Sequence, residues 1–593
     1  MASEGSEPTN WKKRESLGSA LVQIFIVGAL LSAAVYFVVN KGNTKKEIAE
    51  LLKDARAEAV KGNLANVKKA ISTASEALEK DANSPDVNAF IAAEHADLWL
   101  QHKEAGAEAK TKEFLEKAKA ADSKSGDRYG VEALQLLAAG KNKEAEDFVE
   151  DLRKKGASHA RIFYAQALAL KSLGNLKLAA TAFRAASDKE WKDVNYASAL
   201  GESQLEEGAF AVAQDTFNKA ILQNAAHIRS RLGLALARVM RKQGMGDAEN
   251  ILKELMARES ELSTPQVARA TAIGAMILAQ TEQYDQAITT ADAALAKNGD
   301  DVWALFAKAL ALAGKKDPGA AAAFDTLVAR APTAPVFYFE GAHALQRAGQ
   351  ADAGMSLLSK YEGVFKSVKN PTADGKEEVY LDRDDRYWLA RGDMFKAANK
   401  LDDAIASYDK AIEAKAANIT RAYYAKGSTL LEKKEFEKAL EILQDITPQD
   451  GTGSIPEAYF AMGDILFEKK EWGPGCQNYA FGLAKMKMKQ EPREKLNEII
   501  TGVEKRLKAA NQKDIAKLWT EELTASSSRR RPSSRRLRAA RHPRTPSCRP
   551  DRPGSARRCP RSAPSRVSAP RPRAAGSAPS PVARGRTARR AAA

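Results

Sequence analysis

The sequence has 593 residues, more than one ordinary globular core holds, so it is predicted to form either several domains or a repeat array. Its formal charge of +17 would be typical of a nucleic-acid binder if the charge lay on the folded part. Residues 525–593, however, contain 20 Arg and one acid, Asp551, which amounts to +19 and leaves −2 for the rest. Nucleic acid is therefore not an expected partner of the folded part.

The first feature along the chain is an uncharged run of 23 residues, 17–39, which follows a short tail, residues 1–16. At 1.5 Å per residue a helix of this length spans roughly 34 Å, enough to cross the hydrocarbon core of a bilayer. Basic residues flank both ends, so we predict an N-terminal transmembrane anchor. A cleavable signal peptide, with small residues at 32–34, and a helix buried in the fold remain as alternatives. The short basic tail favours an N-terminus inside and a C-terminus outside.

Glycines then recur at a fixed period. Gly140, Gly174 and Gly208 are each 34 residues apart, and each follows a helical stretch rich in Ala and Leu. Glycine suits the end of a helix because it adopts a positive φ at no steric cost. A period of this length predicts stacked supersecondary units, here helical hairpins.

The residues in these units resemble the tetratricopeptide repeat family, whose pattern is W-x2-L-G-x2-Y, then A-x3-F, then P. The best matches are Leu200, Gly201, Phe210, Ala213, Phe217 and Ala220; Trp388, Gly392, Leu401, Ala404, Tyr408 and Ala411; Tyr423, Gly427, Phe436, Ala439 and Leu443; and Tyr459, Gly463, Trp472 and Tyr479. The resemblance implies an all-α fold, a right-handed α-solenoid of about eleven to twelve hairpins. An irregular helical bundle is the alternative.

The spacing has a packing reason. Small residues such as Gly201, Gly392 and Gly427 are expected to let the two helices of a hairpin approach closely. Large residues at helical intervals then fill the seam with the next hairpin, so that stability is shared along the stack.

The chain order gives the following domains. The array covers residues 44–366, with weaker matches at Asp86–Ser123 and Ala226–Ser260; a loop, 367–385, carries Pro, Gly and clustered charge; strong repeats cover 386–490; and capping helices cover 491–524, at Glu494–Ala510 and Lys513–Leu523. A solenoid needs such a cap over its last apolar face.

Residues 525–593 are rich in Arg, Pro, Ser, Ala and Gly and have few large apolar residues, so they are predicted to be disordered. One interpretation is a polybasic arm for anionic lipid or nucleic acid. The other is that the segment is a GC-rich gene read out of frame, in which case it has no selected function.

No catalytic, cofactor-binding or metal-binding residues are predicted. His95 and His102 lie about two helical turns apart but lack an H-E-x-x-H pattern, so they are interpreted as ordinary surface histidines. Cys476 lies inside a repeat with no nearby histidine in the sequence and is interpreted as a packing residue.

In this family the first helix of each hairpin lines a concave groove, and the resemblance implies a partner-binding groove on the strong repeats. The residues carried over are Arg386, Leu389, Asp393, Lys396, Arg421, Tyr424, Ser428, Leu431, Phe460, Asp464 and Phe467. They would suit an extended peptide or a helix. The alternative is that the apolar ones pack against neighbouring helices. A Lys-and-Asn carboxylate clamp is not expected, because its positions hold other residues.

The leading hypothesis is a bacterial inner-membrane scaffold, not an enzyme, whose periplasmic repeats bind proteins or peptides in envelope assembly, secretion or motility machinery. Residues 17–39 would contact the lipid bilayer. The alternatives are a cytosol-facing adaptor or import receptor, and a polybasic tether acting through the tail.

Overall fold

The computed structural model describes residues 17–371, 375–414, 419–448, 453–489 and 491–527. The chain divides into two units, Met1–Ala539 and Ala540–Ala593, and the second lies outside the described residues. The predictions for residues 1–16 and for the chain after residue 527 also lie outside the described residues.

The described part of the chain is almost entirely helical. Its helices are α1 (Leu17–Ala59), α2 (Leu64–Lys80), α3 (Pro85–Leu100), α4 (Ala107–Ala120), α5 (Gly126–Ala138), α6 (Asn142–Lys154), α7 (Ala160–Ser172), α8 (Leu176–Lys189), α9 (Val194–Glu206), α10 (Phe210–Gln223), α11 (Ile228–Met240), α12 (Met245–Met256), α13 (Thr264–Gln280), α14 (Tyr284–Lys297), α15 (Val302–Gly314), α16 (Ala320–Arg330), α17 (Pro335–Arg347), α18 (Ala351–Phe365), α19 (Asp385–Ala397), α20 (Leu401–Glu413), α21 (Ile419–Glu432), α22 (Phe436–Gln444), α23 (Pro456–Glu468), α24 (Trp472–Met488), α25 (Arg493–Ala509) and α26 (Lys513–Ser527). Short 3₁₀ turns occupy Glu259–Glu261 and Tyr380–Arg383.

Consecutive helices pack in pairs, α1 with α2, α3 with α4, and so on to α25 with α26. Most odd-numbered helices also contact the next odd-numbered helix, as α3 does α5 and α13 does α15. Each hairpin therefore covers the apolar face of its neighbour, and the predicted all-helical repeat array is confirmed.

The turn glycines adopt the predicted conformation. Gly140, Gly174 and Gly208 have φ of 75°, 80° and 82°. At Gly140 the glycine N–H donates to Leu137 C=O at 2.9 Å, and the next N–H donates to Leu136 C=O at 2.9 Å. This pair of bonds closes a helix whose last carbonyls would otherwise lack donors.

The helix-approach glycines are confirmed as well. A Cβ atom at Gly201, Gly392 or Gly427 would lie 2.6, 2.4 or 2.5 Å from the Phe217, Tyr408 or Leu443 side chain. These are the large residues of the second helix in the same hairpin.

We expect Gly392→Ala to lower the free energy of unfolding by about 1–3 kcal/mol, because the new methyl group overlaps the Tyr408 ring. The matched control is Gly274→Ala in α13, where a Cβ meets nothing within 4 Å. It should be neutral or stabilise by up to about 1 kcal/mol through helix propensity. Urea denaturation of both variants checks this. Equal effects would contradict the close-approach interpretation.

The segment predicted as a loop, 367–385, contains structure that the sequence analysis did not predict. Two short strands, β1 (Lys369–Pro371) and β2 (Glu377–Val379), pair antiparallel, with Lys369 opposite Val379. Val368 and Leu381, on either side of the pair, are buried in the hydrophobic core of the array. The segment is therefore folded onto the hairpins.

At the other end of the described repeats, α25 and α26 lie in the segment for which capping helices were predicted. Val503, Leu507 and Trp519 are buried with Phe467 and Tyr479 of the preceding hairpin. They cover the apolar face that the last hairpin would otherwise expose.

Within the described part of the chain, no helix has both the length and the apolar character needed to cross a membrane. Along α1, the apolar side chains described between Val22 and Val39 are exposed, Phe25 by 82% and Ile24 by 68%. The alternative of a helix buried in the fold is therefore wrong for these side chains.

Two loops far apart in the sequence are joined by hydrogen bonds. The Asn63 side chain donates to Ala226 C=O at 3.0 Å and accepts from the Ile228 N–H at 3.0 Å. The Asn224 side chain donates to Lys61 C=O at 2.9 Å. We call this set of contacts the 63–226 clasp. It ties the loop of the first hairpin to the connection between α10 and α11.

Candidate functional site

A cavity of about 500 Å³ lies along the odd-numbered helices of the N-terminal half. We call it the N-terminal cavity. Its lining residues come from α3, α5, α7, α9, α11 and α13 and from adjoining loops: Gly62, Leu100, Gln101, His102, Lys103, Leu134, Leu137, Ala138, Tyr164, Leu168, Ser172, Glu202, Leu205, Arg229, Leu232, Gly233, Leu236, Pro265, Gln266, Arg269, Asn298 and Asp301. Six hairpins thus contribute their first helix to one site.

Leucine dominates its apolar wall. Five helices supply the side chains: Leu100, Leu134, Leu137, Leu168, Leu205, Leu232 and Leu236. Tyr164 adds a ring that packs edge-on against Phe183, 6.0 Å between centroids. A wall of this kind offers burial to apolar side chains of a ligand, worth roughly 25 cal/mol for each Å² removed from water.

The polar wall is held by a bidentate ion pair. Arg229 donates from Nε and Nη2 to the two carboxylate oxygens of Glu202 at 2.8 and 2.5 Å, and from Nη1 to Gln101 Oε1 at 3.0 Å. Burial alone would raise the pKa of Glu202, but Arg229 outweighs burial and lowers the pKa below its ordinary value. Glu202 is therefore a fixed carboxylate.

A second pair lies on α13 and the start of α15. Arg269 donates from Nε to Asp301 Oδ2 at 2.8 Å. Asp301 Oδ1 accepts the N–H groups of Trp303 and Ala304, both at 3.0 Å, and so caps α15. The Asp301 carboxylate therefore caps the N-terminus of α15 and also positions the Arg269 guanidinium at the cavity.

The expectation that His95 and His102 are surface residues was wrong. His102 is only 5% exposed and lines the cavity, while His95 is half-buried and stacks on Phe114 at 5.8 Å. The reason is that α3 packs against α2, α4 and α5, so little of its surface reaches water. Burial lowers the pKa of His102 to about 4, which leaves the ring neutral at pH 7.

Beside the cavity lies a buried ionic group, the Arg161 cluster, composed of Arg161, Glu94, Asp97, Asp127 and Arg56. Arg161 nitrogens lie 3.3, 3.1 and 3.5 Å from oxygens of Glu94, Asp97 and Asp127. Arg56 bonds Asp127 at 2.5 Å. Burial and the neighbouring Asp97 raise the pKa of Glu94 well above its ordinary value. The cluster joins α1, α3, α5 and α7.

The groove residues predicted on the strong repeats fall into two groups. Leu389 and Phe467 are buried between helices, as the packing alternative expects for those positions, while Tyr424, Leu431 and Phe460 are half-buried. Arg386, Leu389 and Arg421 meet in a second cavity of about 230 Å³, together with Glu207, Phe339 and His343.

The polar members of the predicted groove have partners within the chain. Asp393 accepts from Tyr408 Oη at 2.8 Å and lies 3.5 Å from Arg421. Lys396 donates to Ser428 Oγ at 3.0 Å. Asp464 accepts from Tyr479 Oη at 2.5 Å and from Arg506. Arg386 donates to Glu207 C=O and Asp384. Their role in partner binding stays a prediction.

The tetratricopeptide repeat model matches residues 131–193, 274–335 and 389–454. These three stretches are tetratricopeptide repeats. The matched stretches begin inside α5, α13 and α19 and extend through α8, α16 and α22, and they confirm the resemblance drawn from the sequence. No curated protein matches the sequence.

Among solved structures, the APC/C hetero-tetramer Cut9-Hcn1 aligns at 12% identity and a TM-score of 0.34, over 74% of this chain and 93% of that chain. The human IFIT1 dimer with PPP-AAAA aligns at 16% identity and a TM-score of 0.38, over 68% of this chain and 94% of that chain. At TM-scores below 0.5, neither likeness bears on what this chain binds.

The N-terminal cavity was not predicted from the sequence, although charged residues recur in the repeat register in this part of the chain. Arg161 and Arg229 are 68 residues apart, two periods of 34, and each occupies the second position of a first helix. Charged residues recurring on an otherwise apolar helix face mark a face that is not simply core.

Two other side-chain groups contain residue types that are found in metal-binding or reactive sites. The carboxylates of Glu146, Asp147 and Glu150 approach one another within 4.8 Å, but Lys143 and Lys154 pair with all three. His227 contacts Ser230 Oγ at 2.7 Å and accepts the Ser230 N–H, an arrangement that caps α11. Both groups have a structural explanation.

Asp193 is expected to make the stability of the repeat array depend on pH. Burial raises its pKa from 3.8 to about 7, against the lowering effect of Arg161, with Asp97 adding to the rise. The folded state then binds more protons than the unfolded state between these values, so the free energy of unfolding falls as pH rises from 4 to 7.

Asp193→Asn should remove this dependence, because an amide side chain does not titrate in this range. The substitution keeps the local structure, since the amide oxygen can still accept the Asn195 N–H, 3.0 Å away in the wild type. Since one pKa unit corresponds to about 1.4 kcal/mol, we expect the variant to be at least about 1 kcal/mol more stable than wild type at pH 8 and equal to it near pH 4. Denaturation across this range checks the result, with Asp188→Asn at an exposed site of α8 as control. A pH-independent difference would contradict it.

Proposed function

We propose that this protein is a tetratricopeptide scaffold that holds an extended segment of a partner protein in the N-terminal cavity. The supporting observation is that the first helices of six successive hairpins converge on one cavity with a leucine wall and preformed ion pairs. Groups held in place before binding lose little entropy when the ligand arrives. Repeat arrays of this family are generally not catalytic, and the proposed activity is binding.

The predicted groove on the strong repeats is proposed as a second contact region for the same partner. Tyr424 and Phe460 are half-buried aromatic side chains on successive first helices, which suits them as anchors for a peptide. The nearby cavity that contains Arg386 and Arg421 supports this proposal.

We further propose that residues 17–39 hold the array at a bacterial inner membrane, with the repeats in the periplasm, in envelope assembly, secretion or motility machinery. The uncharged run and the exposed apolar side chains of α1 support a lipid partner for it. Reporter fusions at Thr524 test the orientation: alkaline phosphatase is active outside the cytoplasm, and green fluorescent protein within it. A cytosolic result would favour the adaptor or import-receptor alternative.

Ala138→Trp is expected to block the cavity and to lower recovery of bound partners at least about tenfold, because an indole group would occupy space that the ligand needs. Ala138 is exposed at the end of α5 and lines the cavity, so the substitution should spare the core. The measurement is affinity capture by the full-length chain from membrane extracts, with recovered proteins quantified.

The matched control is Ala322→Trp, at an exposed site on the second helix α16 and outside the lining of the cavity. Partners lost from Ala138→Trp and kept by Ala322→Trp support the proposal. A parallel Tyr424→Ala/Phe460→Ala variant tests the second region. If Ala138→Trp retains every partner that Ala322→Trp retains, the cavity is not the binding site.

A further inference from the structure

We propose that the N-terminal cavity selects a segment in which a carboxylate is flanked by apolar side chains, and that Arg269 determines this preference. The inference rests on the proposed function and adds the chemistry of the ligand. Three observations support it: the net charge of the wall, the hydrogen-bond donors that have no partner within the parts of the chain that the structure describes, and the positions of the apolar side chains.

The wall carries one excess positive charge at pH 7. Its cations are Lys103, Arg229 and Arg269, and its carboxylates are Glu202 and Asp301. His102 adds no charge, because its ring is neutral in this buried position. A ligand with a single negative group balances such a wall, whereas a cationic ligand is repelled.

Of the two arginines, Arg269 has more donors left to offer. Arg229 uses one N–H of each of Nε, Nη1 and Nη2 on Glu202 and Gln101, so three of its five N–H groups are taken. Within the described ranges, the hydrogen bond of Arg269 is the one from Nε to Asp301, and its side chain is 27% exposed. Its two terminal nitrogens form a planar fork that matches a carboxylate.

The groups around Arg269 do not use these donors. Asp301 places one oxygen on the cap of α15 and the other on Arg269 Nε. On the wall of the same cavity, Nδ1 of His102 is buried and has no hydrogen-bond partner among the described residues. A buried polar atom without a partner costs free energy that a bound polar ligand can recover.

Two leucines of the cavity wall lie on the helix that packs beside the one carrying Arg269. Leu232 and Leu236 are one helical turn apart on α11, which packs directly against α13, the helix that carries Arg269. A residue adjoining the carboxylate would therefore meet leucine. This distinguishes the ligand from a free anion, which gains nothing from an apolar wall.

The chain's own C-terminal tail does not suit the cavity, because residues 525–593 contain 20 Arg and one acid. Its many positive charges would face the cationic excess of the wall. The occupant that fits is a segment of another protein, presenting either an acidic side chain or the carboxylate at its C-terminus.

The test is a peptide selection on the full-length chain in lipid nanodiscs. Nine-residue peptides with blocked ends carry Asp, Asn or Lys at the centre and random Leu, Val, Phe, Ala or Ser elsewhere. A fourth pool has a central Asn and a free C-terminal carboxylate. We expect wild-type protein to retain Asp-centred over Asn-centred peptides at least about tenfold, and to reject the Lys pool.

Arg269→Gln should abolish the preference for the carboxylate and keep the enrichment of apolar residues. Arg269→Lys, which keeps the charge and the fold but lacks the fork, should leave a reduced preference. The matched control is Arg231→Gln, since Arg231 pairs with Glu254 and does not line the cavity. Enrichment of the fourth pool over the Asp pool would identify the carboxylate as C-terminal.

The outcomes separate the two proposals. Apolar enrichment without any preference for a carboxylate, or a preference that survives both Arg269 substitutions, overturns the inference and leaves the proposed function standing. Retention of no peptide from any pool overturns both.

Discussion

Replacing Arg161 with Met is expected to lower the free energy of unfolding of the N-terminal hairpins by about 3–5 kcal/mol. The Arg161 side chain is 7% exposed and lies within 3.5 Å of Glu94, Asp97 and Asp127, so its loss leaves these three acids close together with little water and with Arg56 as the remaining cation of the cluster. Hydrogen exchange checks this: protection should fall in α3, α5 and α7.

The matched control is Arg184→Met, at an exposed site on α8, which should change stability by less than about 0.5 kcal/mol. The deficit of Arg161→Met should also shrink on acidification, because protonation removes the uncompensated charges. A loss as small as that of the control would mean that Arg161 does not hold the cluster together.

Phe306→Ala should be about as costly, lowering the free energy of unfolding by roughly 3–5 kcal/mol. Phe306 is fully buried, and its ring centroid lies 5.9, 5.2 and 6.4 Å from those of Trp303, Phe337 and Phe324. Truncation would leave a void among three rings that come from three helices. The measurement is urea denaturation combined with hydrogen exchange.

Because each hairpin contacts mainly its neighbours, the loss of protection in Phe306→Ala should centre on α13 to α18 and leave α25 and α26 unchanged. Phe306→Leu, which keeps most of the volume, should cost about half as much or less. A uniform loss of protection along the chain would show that the array unfolds as one unit and would contradict the local model.

The hairpins could be predicted from the sequence because their determinants are local. Gly140 and Gly174 each end a helix within their own repeat. Gly392 and Tyr408, 16 residues apart, meet inside one hairpin. Such short-range rules repeat with the period of the chain, so each occurrence strengthens the others.

The N-terminal cavity could not be predicted in the same way. Its polar wall depends on a contact between Gln101 and Arg229, which are 128 residues apart, and the repeat period does not predict that contact. The burial of His102 follows from the same packing. On the strong repeats, Arg386 and Arg421 line one cavity and Leu389 is buried, but the register alone did not decide between groove and packing positions for the apolar residues.

The 63–226 clasp has a consequence for how this protein can evolve. The bonds of Asn63 and Asn224 form only if a fixed number of hairpins lies between them, because each hairpin advances and rotates the chain by a set amount. Gain or loss of one repeat in that interval would separate the two loops and open the wall between Gly62 and Arg229. Repeat copy number is therefore constrained before residue 226, whereas duplication at the C-terminal end is not constrained by this clasp.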